Sequence, residues 1–262
     1  MKNLLAAFHN RAKSFYIISG FLLLWQIIPS TGAVNPHFIP PLSTVLAEAP
    51  KLGLANIAID ISISLERVIL GFLLALVVAL PLGFMFAGAF PRFAKFLYPL
   101  MSFLSQIPPF ILFPVFVVIF GIGDGGIYTV IFWSAFWPIL FSAIAGTRQV
   151  DPLLVKSARS MGANPAQVFY KIIIPGALSS IMTGARTAMT ICFMMLIGAE
   201  TMGANSGLGW LINQSQRMGM IPRIYLAVLL VAILGLAINY LFEWLERSII
   251  VWKENDRKGG IV

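Results

Sequence analysis

Charge is scarce in this chain. Of its 262 residues only 11% are charged and 59% are hydrophobic, whereas a soluble globular domain carries about 25% charged residues. Mean hydropathy is +0.89. So much apolar side chain cannot be hidden inside one soluble domain of this length, because the surface must still be covered. That excludes a soluble enzyme, a disordered chain and a nucleic-acid module, and leaves an integral membrane protein. Cysteine is almost missing: Cys192 alone rules out a disulfide framework and a thiolate metal cage. The two histidines, His9 and His37, lie far apart. The ten acidic residues are scattered through loops and ends rather than clustered. No catalytic residue and no metal site is therefore expected. There is no Gly-x4-Gly-Lys-Ser/Thr phosphate loop either, so any ATP chemistry has to come from another polypeptide.

What the chain does have is long apolar intervals between its few charges. About 20 apolar residues cross a hydrocarbon core roughly 30 Å thick. The intervals predict an all-α membrane fold of six spans, near 14–34, 67–89, 96–120, 126–146, 176–199 and 224–245. The first segment has the basic start and small-residue end of a signal peptide, yet it is expected to remain as a membrane helix. Lys and Arg accumulate on the cytoplasmic side of membrane proteins. With the N-terminus inside, thirteen of the eighteen fall on the inner side, Lys51, Arg67, Arg217 and Arg223 on the outer, and Arg186 within the membrane. Both termini are expected in the cytoplasm. The net charge of +8 records this topology rather than a nucleic-acid partner.

The longest inner connection, Arg148 to Pro175, has helical grammar. Asp151-Pro152 supplies a cap followed by proline at the first helical position. Leu154, Ala158 and Met161 repeat at helical spacing, and Gly162 suits a left-handed stop. Asn164-Pro165-Ala166-Gln167 restarts a second helix with the residues of a capping box. Two short stiff helices joined at a glycine result. Such an elbow fits a mechanical contact with a partner, and equally an amphipathic hairpin lying on lipid headgroups.

Within the spans, Gly176, Ser180, Gly184, Ala188 and Cys192 form a small-residue stripe at every fourth position of span five. Stripes of this kind let helix backbones approach closely in lipid, here within the chain or across a dimer interface. Thr183, Arg186, Thr187 and Thr190 gather on a second face. An arginine in mid-span costs roughly 2.5–3.5 kcal/mol to insert, so Arg186 either lines a path for an anion or is tethered to carbonyls or to an acid on a neighbouring helix, the tether being preferred. Span three carries Pro99, Pro108, Pro109 and Pro114 and reads as a broken helix. Broken helices usually line cavities, which makes Ser102, Ser105 and Gln106 candidate path residues beside Thr183, Arg186 and Thr190. Pro81 and Pro138 are candidates for bending spans two and four. The stretch from Glu200 to Pro222 reads as a glycine-hinged interfacial or re-entrant loop, with Glu200, Gly207, Gly209 and Trp210 shaping an external mouth.

The elbow also carries a resemblance. Permease subunits of type I ABC importers share the pattern EAA-x3-G-x9-I-x-L-P. This chain reads Lys156-Ser157-Ala158, Gly162 and Ile172-Ile173-Ile174-Pro175 in the same register, with Lys in place of Glu. Ile39-Pro40-Pro41-Leu42-Ser43, Gly176-Ala177-Leu178, Thr183-Gly184-Ala185-Arg186, Ala199-Glu200 and Ser206-Gly207-Leu208-Gly209-Trp210 resemble the nitrate, sulfonate, taurine and bicarbonate branch. The resemblance implies an N-terminal helix and connector over 1–55, a permease domain over 56–247 and a cytoplasmic tail over 248–262. It implies a homodimeric pore in the inner membrane, bound to two ATPase subunits that hold ATP and Mg, and fed by an external binding protein. No cofactor in this chain is implied. Lys156, Ser157, Ala158, Gly162, Ile172 and Pro175 match the ATPase-coupling positions. The expected cargo is a sulfonate or taurine-like anion, then nitrate or bicarbonate, then a neutral vitamin precursor. The alternative class, a secondary transporter, would show internal repeats and mid-span acids, and neither is evident.

Overall fold

The computed structural model describes residues 16–249, apart from Ile18 and Ala33. Among the described residues every regular element is a helix. In chain order these are α1 (Ser19–Ser30), α2 (Leu42–Leu46), α3 (Glu48–Leu52), α4 (Leu54–Phe84), α5 (Pro91–Ser105), α6 (Pro109–Phe120), α7 (Asp124–Gln149), α8 (Pro152–Ser160), α9 (Pro165–Val168), α10 (Ile174–Gly203), α11 (Leu208–Arg217) and α12 (Ile221–Ile249). Short π-helical turns follow α4, at Met85–Ala89, and α9, at Phe169–Ile173. They make Leu54–Ala89 and Pro165–Gly203 near-continuous rods of 36 and 39 residues.

Four helical rods are long and apolar enough to cross a bilayer: Leu54–Ala89, α7, Pro165–Gly203 and α12. The α5–α6 pair makes a fifth when counted as one broken span, bent by 90°. The break falls at Pro108-Pro109, as the proline pattern predicts. α6 starts on Pro109, and Pro108 is extended before it, because a residue preceding proline is pushed out of the helical region. Of the sixth expected span, the described part is the shorter apolar helix α1; Ser14, Phe15, Ile18 and Ala33 lie outside the described residues. Pro81 and Pro138 stand inside unbroken helices. The π turn at Met85–Ala89 follows Pro81 by four residues, whereas the carbonyl that Pro81 leaves unpaired is that of Val77, one turn before it.

α7 is the central member. Ile127, Ile131, Ala135, Ile139 and Ala143 along it are wholly buried. α4 lies close against one side, where a β-carbon on Gly71 would come within 2.6 Å of Ile131. α10 lies against another. There Ala188 and Cys192 are also wholly buried, the Cys192 thiol donates to the Ile131 carbonyl at 3.4 Å, and Gly184 sits directly on Ser142. The small-residue stripe of span five thus packs within the protomer, as a seam with α7. Outward-facing Val77, Phe96 and Val118 are 70%, 79% and 86% exposed, which suits lipid or a partner rather than water.

Span two begins earlier than its charges suggest. α4 starts at Leu54, and Arg67 is an internal helical residue, buried at 5% exposure, where the outer boundary of the span was expected. The charge is carried inward because partners are waiting for it.

Candidate functional site

Two polar constellations stand at opposite ends of the bundle. At one end, α8 and α9 form the elbow. Asp151 caps α8 by accepting from the Leu153 N–H at 2.8 Å. Asn164 and Gln167 exchange side-chain-to-backbone hydrogen bonds at 2.8 and 2.9 Å, closing the capping box. Gly162 has φ +83°, the left-handed conformation that favours glycine. The elbow therefore folds as its sequence predicts: two helices stiffened by local caps around one glycine joint. Ala158 is buried against the rest of the elbow, while Lys156 and Ser157 are exposed. Ile172 lies in the π turn, and Pro175 sits in the first turn of α10, so the motif's end is fused to the long rod. Phe169 makes an edge-to-face ring contact with Phe84 at 5.3 Å. That joins the elbow to the end of α4.

At the other end lies a buried polar knot. Glu200, near the C-terminal end of α10, is 1% exposed. Its carboxylate accepts from Arg67 Nη1 at 2.8 Å, from the Ser64 hydroxyl at 2.8 Å and from the Gly209 N–H at 2.9 Å. Arg67 also donates to Asp124 at 2.8 Å and to the Ser206 carbonyl at 2.8 Å. Asp60 accepts from the Gly207 N–H at 2.9 Å, and the Leu208 N–H donates to Ser64 Oγ at 3.0 Å. The first N–H groups of α11, which have no partner within their own helix, are thus satisfied by α4 and α10. Gly207 has φ +103°, and a β-carbon there would collide with the Glu200 carboxylate. One knot fastens α4, α7, α10 and α11.

Of the four residues assigned to an external mouth, Glu200, Gly207 and Gly209 meet in this knot, and Trp210 follows in α11, partly exposed. The segment expected as a loop is largely helical, since α10 runs to Gly203 and α11 begins at Leu208. Asp60, Ser64, Arg67 and Asp124 escaped the sequence reading. Asp60, Ser64 and Arg67 follow a four- and three-residue rhythm on one helix face, a signal hidden when the span is begun at its first charge.

The expected path residues fall into two groups. Arg186 reaches α12, with Nη1 3.4 Å from Glu246, Nη2 3.7 Å from Glu243 and Nε 3.3 Å from Asn239 Oδ1. A cavity of about 360 Å³ opens beside it, between α10 and α12, lined in part by Thr190, Met189 and Asn239. Thr183, Thr187 and Thr190 form an exposed stripe on α10, each hydroxyl donating to the carbonyl four residues back. Ser102, Ser105 and Gln106 stand apart, at the break after α5, where Ser105 and Gln106 both donate to the Ser102 carbonyl at 2.8 and 3.1 Å. Among the described residues no group of His, Cys, Asp and Glu is arranged to hold a metal ion.

The connector before α4 is clipped to the start of α12. Glu48 accepts from Lys51 at 2.7 Å and lies 3.3 Å from Arg223. Chiefly the Lys51 hydrogen bond, with Arg223 adding to it, holds the Glu48 carboxyl below the usual glutamate range. A depressed carboxyl stabilises the fold above its unfolded value of about 4.3 and loses that contribution as pH falls through the folded one. Thermal unfolding midpoints recorded from pH 6 down to 3 are expected to drop less steeply in Glu48→Gln than in the unaltered protein. Parallel profiles would remove Glu48 as the cause.

Residues 79–251 match the family described as "Binding-protein-dependent transport system inner membrane component". The bicarbonate transport system permease protein CmpB of Synechococcus elongatus is 30% identical over 246 residues, covering 89% of this chain and 87% of its own. This chain belongs to that permease family. The taurine transport system permease protein TauC of Escherichia coli is 27% identical over 237 residues, covering 88% of the permease and 86% of TauC. In fold, the permease is similar to a solved chain of the inward-facing MetNI methionine ABC transporter, with a TM-score of 0.62 at 21% identity, covering 71% of the permease and 92% of that chain. The permease is accordingly an ABC importer subunit with the type I fold and not itself an enzyme, residing in the inner membrane.

Proposed function

We propose that the permease forms half of a homodimeric pore for a small anion, driven by two ATPase subunits that seat on the α8–α9 elbows and fed by an external binding protein. Both termini lie in the cytoplasm in this reading, which the distribution of Lys and Arg supports. The observation that carries it is the elbow: a protruding pair of capped helices, jointed at Gly162 and fused through Pro175 to a rod that ends in the Glu200 knot. A rod tied at one end to a motor contact and at the other to the outer knot has the form needed for alternating access, in which only a free-energy difference between two states moves the equilibrium. Lys156, Ser157, Ala158, Gly162, Ile172 and Pro175 are the coupling residues. Thr183 and Thr190 line the path, and Ser102, Ser105 and Gln106 serve the broken helix beside it. Arg186 anchors α10 to α12 at the wall of that path. The relatives named for taurine and bicarbonate support a small anion as cargo.

The test is reconstitution in liposomes with a phosphate-loop ATPase and a substrate-binding protein from the same genome. ATP-dependent uptake of labelled taurine is expected, with bicarbonate and nitrate as the next cargoes tried. Uptake by the permease alone, without ATP, would overturn the reading in favour of a secondary transporter.

A further inference from the structure

Among the described residues, positive charge is left uncompensated around the elbow. Arg92, Lys95, Arg148, Lys156, Arg159 and Lys171 are all exposed at this end, and none makes an ion pair among the described residues. Asp151 is the sole acid between Arg148 and Lys171, and its carboxylate already accepts from the α8 backbone. Apolar side chains share the surface: Leu153, Leu154 and Met161 are 67%, 57% and 82% exposed. At 100° per residue they fall on one arc of α8 with Ser157 at its middle, and Lys156 and Arg159 fall on the other side. Between the two helices lies a notch of about 340 Å³, lined by Ala158, Met161, Gly162, Gln167, Lys171 and Ile172. A lipid surface offers headgroup phosphates to exposed cations, whereas a protein surface can offer carboxylates to the lysines and apolar side chains to Leu153, Leu154 and Met161 together.

We infer that the elbow is matched to an ATPase whose receiving cleft is apolar at its floor and acidic at its rim, with one carboxylate side chain entering the α8–α9 notch toward Lys171 and another facing Lys156. This rests on the proposed function and deepens it by naming the chemistry of the partner. The contact selects partners by charge: an ATPase with a basic rim is rejected by like-charge repulsion, which disfavours wrong partners more strongly than complementary charge strengthens right ones. Because both lysines are exposed, their substitution leaves the membrane fold intact.

The experiment uses the full-length permease in two sets of nanodiscs, one of purely neutral lipid and one containing anionic lipid, and a purified phosphate-loop ATPase from the same genome. Lys156→Glu combined with Lys171→Glu is expected to weaken ATPase binding at least tenfold at 50 mM salt, while Lys156→Gln with Lys171→Gln weakens it less. Raising salt to 500 mM is expected to narrow the gap. Changing to Lys the acidic cleft residues found by cross-linking to these positions is expected to restore binding to the Glu pair. Unaltered affinity in the Glu pair overturns this inference and leaves the transport reading standing. A loss confined to nanodiscs containing anionic lipid also overturns it, in favour of a lipid contact. Failure of the unaltered permease to bind the ATPase overturns the transport reading itself.

Discussion

Replacing Glu200 with leucine is expected to cost the permease about 3–5 kcal/mol, because it strands the buried Arg67 guanidinium. Arg67 would keep Asp124, which is mostly exposed at 58%, so the loss belongs toward the lower end of that range. The same substitution releases the Ser64 hydroxyl and the Gly209 N–H, both of which donate to the carboxylate. Glu200→Gln retains an acceptor for those two and is expected to cost less. The informative variant is the pair Arg67→Met with Glu200→Leu: replacing a buried ion pair by apolar residues of similar volume is often neutral or better, so much of the lost stability should return. Thermal unfolding midpoints of the detergent-solubilised protein measure all three. A Glu200→Leu midpoint within a degree of the unaltered protein would show that the knot contributes little.

The second large effect is expected at Gly162, and on transport rather than on folding. A β-carbon at this position meets nothing within 4 Å, but φ is +83°. The β-carbon of Gly162→Val therefore meets open space, and the backbone is penalised by about 1–3 kcal/mol for a side chain held in the left-handed region. The strain is local to the joint of the elbow, so α8 and α9 will re-angle rather than the membrane helices unfold. ATP-driven uptake is expected to fall about tenfold or more, equivalent to roughly 1.4 kcal/mol, with the unfolding midpoint of the bundle unchanged. Asn, which tolerates this conformation better, should fall between. Equal uptake by all three would mean that the angle between the helices has no part in coupling.

The elbow was legible because its determinants are local. Asp151-Pro152, Gly162 and Asn164-Pro165-Ala166-Gln167 specify caps and stops within three or four residues of one another, and each adopts the geometry its type prefers. The break at Pro108-Pro109 was legible for the same reason. The knot was not. Its ion pair links residues 133 positions apart, and the sequence reading used Arg67 to mark where the membrane begins. Charge marks a boundary only when solvent is the best partner available, and here a carboxylate is. The stripe from Gly176 to Cys192 gave its purpose but not its address: small residues announce close packing, while only the assembled bundle specifies that α7 is what they pack on. Arg186 was expected to be tethered to carbonyls or to an acid on a neighbouring helix, and α12 provides two acids, Glu243 and Glu246.

The 39-residue member from Pro165 to Gly203 is about 58 Å long at 1.5 Å per residue, and at its midpoint Gly184 sits directly on Ser142, with no room for a side chain between the helices. A beam pinched at its centre behaves as a seesaw. A rotation of about 5° about that fulcrum swings each tip by roughly 2.5 Å, and in opposite senses. In the proposed alternating-access cycle, narrowing below and widening above would then be two aspects of one motion, with no message relayed between them.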